Sequence, residues 1–148
     1  MTDRRLVKVE STDLDAVRLA LAAARLPAED FGEGIVFYRL DDEVGAIGWA
    51  ALEQRGGDAL LRSVLILESR RGLGAGRDMI ERVAGAAGVQ GIQRLWLLTE
   101  SAAAFFARLG FTPAERASAP EEIRATSEFA LICPVSATCM TMAIHGER

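Results

Sequence analysis

Apolar and polar positions alternate with a period of two over Val7, Lys8, Val9 and Glu10, which predicts a half-buried strand at the start of the chain. Leu14, Val17 and Leu21 then recur at helical spacing. Ser11 and Thr12 are expected to cap this helix, Asp13 and Asp15 sit favourably at its positive end, and Pro27 stops it. After a loop over Gly32 to Gly34, the stretches Ile35–Leu40 and Val44–Glu53 read as a hairpin turned by Asp41-Asp42-Glu43. The turn Arg55-Gly56-Gly57-Asp58 leads into a further strand, Ala59–Leu67.

The pattern changes at Gly72, Gly74 and Gly76. A helix follows with Met79, Ile80, Val83, Ala84 and Ala87 on one face and Arg77, Asp78, Glu81 and Arg82 on the other, ended by Gly88 and Gly91. Leu95–Leu98 reads as a short buried strand. Ser101 is expected to cap a helix carrying Phe105, Phe106 and Leu109, with Gly110 closing it. Pro120 suits the first turn of another short helix, and Ala137–Ile144 reads as the last strand. Without repeat or linker, this order describes one α+β domain over residues 1–148, with a mixed sheet flanked by helices.

The chain has 148 residues, half of them hydrophobic, which suits a single packed domain. A net charge of −4 argues against a nucleic-acid partner, whose phosphates demand clustered Lys and Arg. Arg70, Arg71 and Arg77 form the clearest local basic group. The start, Met1-Thr2-Asp3-Arg4-Arg5, carries no apolar signal, and no run approaches the roughly 20 apolar residues that span a bilayer. The two cysteines, Cys133 and Cys139, fit a reducing compartment and read as buried thiols, with no metal-binding spacing. The expectation is a cytoplasmic protein without membrane partner or metal, a monomer or a homodimer.

A glycine-rich turn between a strand and a helix makes an anion site from backbone alone: the first-turn N–H groups point outward, the helix dipole adds positive charge, and glycine lets the main chain approach closely. The NTPase phosphate loop fails here because Gly76 is followed by Arg77-Asp78, and the dinucleotide fingerprint fails because its third glycine would be Arg77. Arg71-x-x-Gly74-x-Gly76 remains. It resembles the pyrophosphate loop of the GNAT acetyltransferases, and Phe105-Phe106-Ala107-Arg108-Leu109-Gly110-Phe111 resembles that family's second signature. The resemblance covers nearly the whole chain. It implies a GNAT fold, a mixed and mostly antiparallel sheet of about six to seven strands. It also implies acetyl-CoA as co-substrate. Its pyrophosphate would lie on Arg71, Gly72, Leu73, Gly74, Ala75 and Gly76, and its pantetheine arm would pair with the backbone of Val64, Leu65 and Ile66, where the fourth strand splays from the fifth.

Further motifs are similar to the small GNATs of arsenic-resistance operons: Leu61-Arg62-Ser63, Leu97-Leu98-Thr99, Ile123-Arg124-Ala125-Thr126-Ser127-x-Phe129 and Cys133-Pro134-x-Ser136-Ala137-x-Cys139-Met140. This implies N-acetylation of an amino-acid-like compound such as arsinothricin. Glutamate or another ordinary metabolite is the alternative acceptor, and a catalytically idle CoA-binding regulator is the alternative of another class.

Acetyl transfer needs a deprotonated amine, and an α-amino group with a pKa of about 8 is mostly charged at neutral pH. The single histidine, His145, lies near the C-terminal end, so the candidate bases are Glu53 and then Glu100, with water able to serve instead. Many members of the family have Tyr where Phe106 stands, and the only tyrosine, Tyr38, falls on a different strand. Arg62 interrupts an apolar run on a central strand, where lone charge is costly. It is expected either to pair internally, for instance with Glu53, or to bind a substrate carboxylate with its guanidinium fork. Ser63, Thr99 and Ser127 are candidate hydrogen-bonding partners of that substrate. Strand alternation would put Arg62 on the same face as Val64 and Ile66.

Overall fold

The structure, a computed structural model, describes residues 3–24, 34–132 and 136–144. Seven strands form one sheet: β1 (Arg5–Lys8), β2 (Ile35–Asp41), β3 (Ala46–Arg55), β4 (Asp58–Ile66), β5 (Arg94–Thr99), β6 (Thr112–Pro113) and β7 (Thr138–Ala143). Their order is β1-β2-β3-β4-β5-β7-β6. Only β4 and β5 run parallel; every other pair is antiparallel. The helices are α1 (Leu14–Ala23), α2 (Ala75–Val89), α3 (Ala103–Arg108) and α4 (Glu121–Arg124). This is the mixed, mostly antiparallel α+β architecture expected from the sequence pattern.

One face of the sheet packs Leu40, Leu52, Leu61 and Leu95 against Met79, Ile80, Val83 and Ala87 of α2 and Phe106 of α3. The other face divides between α1, where Val17 and Leu21 meet Phe37, Trp49 and Leu65, and α4, where Ile123 meets Leu60 and Trp96. Each fully buried side chain of this size contributes about 1.5–3 kcal/mol, so these stripes fix the helices on the sheet.

Several local expectations are corrected. The helix after β1 starts at Leu14, behind a 3-10 turn over Ser11–Asp13; its cap position is Asp13, and no side chain bonds there. The cap of α3 is Ala102, not Ser101; the Ala102 N–H bonds to Thr99 Oγ1 at 3.0 Å. Pro120 stands at the cap position of α4, ahead of its first turn. The β2–β3 hairpin turns over 42–45, so β3 begins at Ala46 rather than Val44, with Asp42 Oδ1 accepting the N–H groups of Val44 and Gly45. The short strand β6 carried no sequence signal, because a two-residue strand ending in Pro113 has no period to read. Gly110 closes α3 as expected: its φ is 109°, its N–H bonds to Ala107, and the Phe111 N–H bonds to Phe106. This is a Schellman closure with its apolar contact, the Phe106 and Phe111 rings lying edge to face at 5.5 Å. Pro27, Gly32, Cys133, Pro134 and His145 lie outside the described residues.

Candidate active site

Strand β4 carries an irregularity that builds the site. Trp49 pairs with Leu65 and Ala51 with Arg62, so Ala50 faces two residues, Ser63 and Val64. Ser63 has φ 57°, in the left-handed region that a Cβ-bearing residue rarely enters. This is a β-bulge, and it reverses the alternation of the strand. Leu61 and Val64 therefore pack on the same face, against the α2 core, whereas Arg62 points to the opposite face. The expected sharing of a face by Arg62, Val64 and Ile66 is thus overturned by one extra residue.

The pairing of β4 with β5 ends just before the bulge. The two strands share only Asp58↔Arg94, Ala59↔Leu95 and Leu60↔Trp96. Beyond Leu60 they separate: β4 stays paired to β3 on one side, and β5 to β7 on the other. The shared end is pinned by the Trp96 Nε1–H donating to Asp58 Oδ2 at 2.7 Å. The result is a V-shaped opening with the backbone of Val64, Leu65 and Ile66 along one edge.

At the wide end of the V the chain enters the glycine loop. Gly72, Leu73 and Gly74 have consecutive positive φ angles of 96°, 56° and 71°, and Gly74 is the cap residue of α2. A Cβ added at Gly72 or Gly74 would meet nothing within 4 Å, so both positions face open space. Successive left-handed residues before a 15-residue helix turn several N–H groups toward one point, which suits an anion. The Arg71 Nε–H returns to the Ile66 carbonyl at 3.3 Å and ties the loop to the end of β4. Arg4 reaches across from the N-terminal segment, donating to the Leu73 carbonyl at 2.9 Å and pairing with Asp78 at 3.2 Å. Arg70 pairs with Asp42 and donates to the Ala46 carbonyl at 3.2 Å, anchoring the entry to the loop. Gly72, Gly74, Ala75, Gly76, Arg77, Phe105, Arg108 and Leu109 line a cavity of about 270 Å³ beside it. Gly76 is close-packed: a Cβ there would stand 3.2 Å from the Phe105 ring.

On the opposite face the candidate acid–base residues form a buried ion network. Arg62 Nη1 donates to Glu53 Oε1 at 3.0 Å, Arg55 pairs with Glu53 Oε2, and Arg62 Nε lies 3.7 Å from Glu128 Oε2. The internal pairing of Arg62 with Glu53 is therefore present, and Glu128, from a π-helical turn over Glu128–Ile132, joins it. Glu128 was not singled out from the sequence, where one acid in a C-terminal segment carries no signal of a partner on β4. Ser127 is half-buried beside it, and Glu100 is exposed. Thr99 is engaged in the turn into α3. Ser63 is buried at 9% exposure, and its Oγ has no hydrogen-bond partner among the described residues.

Tyr38 is removed from this region. Its hydroxyl accepts from Gln90 Nε2 at 3.0 Å, and burial raises its pKa. Gln90 caps the C-terminal end of α2, about 22 Å from the glycine loop at 1.5 Å rise per residue. Phe106 is buried and packs edge to face with Phe105. Among the described residues no group of His, Cys, Asp and Glu could hold a metal ion, and no helix is long and apolar enough to cross a membrane.

A parallel strand pair that parts ahead of a bulge and leads into a glycine turn and a helix defines the class of acetyltransferase fold that the sequence motifs suggested. Over residues 33–113, more than half of the chain, the sequence matches the family model for the acetyltransferase (GNAT) domain, and the chain belongs to that family. Among solved structures it is similar to N-acetylglutamate synthase from Neisseria gonorrhoeae, complexed with coenzyme A and N-acetyl-glutamate, with TM-score 0.81 and 16% identity over 98% of this chain and 36% of that one. It therefore spans about a third of that protein's length. The ribosomal-protein-S18-alanine N-acetyltransferase from Escherichia coli matches with TM-score 0.73 and 19% identity over 99% and 97% of the two chains. An acetyltransferase of the GNAT family from Staphylococcus aureus matches with TM-score 0.72 and 12% identity over 97% and 100%. At these identities the likeness is one of fold. No curated protein matches the sequence.

Proposed function

We propose that the chain is a cytoplasmic acetyl-CoA-dependent N-acetyltransferase acting on a small amino-acid-like acceptor. The observation that carries this is the parting of β4 from β5 beyond Leu60, with the Ser63–Val64 bulge following it and the glycine loop at the start of α2 continuing from the same strand. The backbone of Val64, Leu65 and Ile66 would hold the pantetheine arm, and Arg71 to Gly76 the pyrophosphate. Structural relatives crystallised with coenzyme A support that co-substrate.

In this reading the acceptor nitrogen attacks the thioester carbonyl carbon, the C–S bond breaks with its electron pair going to sulfur, and the amine proton is lost. A thiol with a pKa of about 8.5 is a tolerable leaving group, so Phe106 in place of a hydroxyl donor is compatible with turnover. Glu53 was the first candidate for the base. With both oxygens engaged by Arg62 and Arg55, it would have to give up an ion pair to take a proton. We assign it to positioning Arg62, with the amine proton leaving through water. The acceptor carboxylate would then enter the Arg62 fork beside Ser127, exchanging with Glu128, the looser of the two carboxylates at 3.7 Å.

The motifs around Arg62, Thr99, Ser127 and Cys139 favour an acceptor of the arsinothricin type. The relative that makes N-acetylglutamate supports glutamate as the second reading. The test is acetyl-CoA turnover with arsinothricin, glutamate and the decarboxylated amine of glutamate, in wild type and Arg62→Lys. Preference for a carboxylate-bearing acceptor that falls in Arg62→Lys is the expected result. Equal rates on acid and amine in both proteins would defeat the carboxylate anchor, and no turnover with CoA still bound would favour the idle CoA-binding regulator.

A further inference from the structure

We propose that Arg4, without touching CoA itself, sets the direction of the Gly74 N–H and so positions the glycine loop to receive the pyrophosphate. The inference rests on the reading that the CoA pyrophosphate lies on the loop from Arg71 to Gly76, and it adds to that loop a residue from the far end of the sequence.

The loop needs a hold from outside. Leu73 lies between two glycines at φ 56°, in the left-handed region that disfavours a Cβ, and its side chain is 92% exposed, so packing does not keep it there. What meets Leu73 is Arg4, just ahead of β1, whose Nη2 donates to the Leu73 carbonyl at 2.9 Å. A peptide unit is planar and trans, so its carbonyl and the N–H that follows point in opposite directions. Fixing the Leu73 carbonyl on Arg4 therefore turns the Gly74 N–H away from Arg4. That N–H donates to no backbone carbonyl among the described residues, whereas the next one, of Ala75, returns to Gly72 at 3.2 Å. Arg4 lines a cavity of about 120 Å³ behind the loop, and the cavity of about 270 Å³ between the loop and α3 is lined without it. The loop thus stands between Arg4 and the space assigned to the pyrophosphate, with the Gly74 N–H turned to that space.

Charge points the same way. Asp78 stands in the first turn of α2, where its carboxylate and a bound anion draw on the same positive helix end and repel each other. Arg4 Nη1 pairs with Asp78 Oδ2 at 3.2 Å and Arg82 Nε with Asp78 Oδ1 at 2.9 Å, so the carboxylate is neutralised from two sides. The Arg4 fork bonds a carbonyl and an acid on separate N–H groups, which the point charge of a lysine does not reproduce. It is held there against a cost, since Arg4 Nε is buried with no partner among the described residues.

The experiment follows the amides of ¹⁵N-labelled wild type, Arg4→Met, Arg4→Lys and Asp78→Asn during titration with CoA, inorganic pyrophosphate and pantetheine. In the wild type, CoA and pyrophosphate are expected to shift the Gly74 amide, and pantetheine to shift Val64 to Ile66. Arg4→Met is expected to raise Kd for CoA and pyrophosphate about tenfold, the worth of a charge-assisted hydrogen bond, and to leave pantetheine affinity unchanged. Arg4→Lys should recover part of the loss, and it carries the test if Arg4→Met does not fold. Asp78→Asn keeps the bond to Leu73 and should bind CoA at least as tightly as wild type. Equal losses for pyrophosphate and pantetheine would reduce Arg4 to a general stabiliser and overturn the proposal. So would CoA binding in Asp78→Asn as weak as in Arg4→Met, which would trace the effect to the ion pair alone. Undiminished CoA affinity in both Arg4 variants sinks this proposal only, whereas failure of the wild type to bind CoA sinks the reading beneath it.

Discussion

Arg62 and Glu53 meet across β4 and β3 with Nη1 and Oε1 3.0 Å apart, and their side chains are 0% and 3% exposed. They share a face because Glu53 pairs with Leu60 and Ala51 with Arg62 in regular register, and the bulge beyond Arg62 turns Val64 and Ile66 to the other face. Removing one partner of such a buried pair strands the other, at a cost of about 3–5 kcal/mol. Arg62→Ala is therefore expected to lower Tm markedly in thermal denaturation, and Arg62→Lys, which keeps the charge but not the fork, to recover part of the loss. An unchanged Tm in Arg62→Ala would contradict the pairing.

The same geometry bears on proton transfer. If Glu53 positions Arg62 rather than accepting the amine proton, Glu53→Gln leaves the shape of the pH–rate profile unchanged while lowering activity evenly. A selective loss below the amine pKa, with recovery at high pH, would restore Glu53 as the base.

Gly48 on β3 has no room for a side chain beside Leu65 and Ile66 of β4. A Cβ there would stand 2.2 Å from the Leu65 carbonyl oxygen, which is backbone and cannot swing aside. Gly48→Ala is expected to cost at least the 1–3 kcal/mol typical of overpacking, read as a lowered denaturation midpoint. Stability equal to wild type would show that the strands are further apart.

Asp42 carries a pH dependence. The Arg70 guanidinium, and then the N–H groups of Val44 and Gly45, hold its carboxyl below the usual range against the opposing effect of burial. A depressed folded-state pKa contributes stability that is present above the unfolded value, about 3.9, and lost as pH falls through the folded one. Acid denaturation of Asp42→Asn should accordingly be shallower than that of wild type in this range, and identical acid limbs would contradict it.

Much of this was legible in the sequence because it was periodic or punctuated. The amphipathic stripe of α2, the β-branched and aromatic run from Ile35 to Leu40 and the glycines from Gly72 to Gly76 each have a local physical cause, and each appears where expected. The bulge had no such mark. Leu61-Arg62-Ser63-Val64 reads as unbroken strand, and a serine gives no hint of left-handed backbone. The partners of Arg62 were half legible: Glu53 lies on the neighbouring strand of the same hairpin, whereas Glu128 is brought in by tertiary packing. Thr99 rather than Ser101 serves the α3 turn because the end of β5 fixes its hydroxyl beneath the Ala102 N–H, a matter of orientation that spacing does not encode.

The central claim, that the glycine loop and the opened β4 edge bind CoA, is tested most directly by calorimetric titration of the wild type and of a Gly74→Trp variant with CoA. A Cβ at Gly74 meets nothing within 4 Å, so the indole would project into the space assigned to the pyrophosphate, at the cost only of local strain from φ 71°. Saturable binding with a matching rise in wild-type Tm is expected, together with a folded variant that has lost both. No heat of binding and no shift in Tm for the wild type, or undiminished binding in Gly74→Trp, would contradict it.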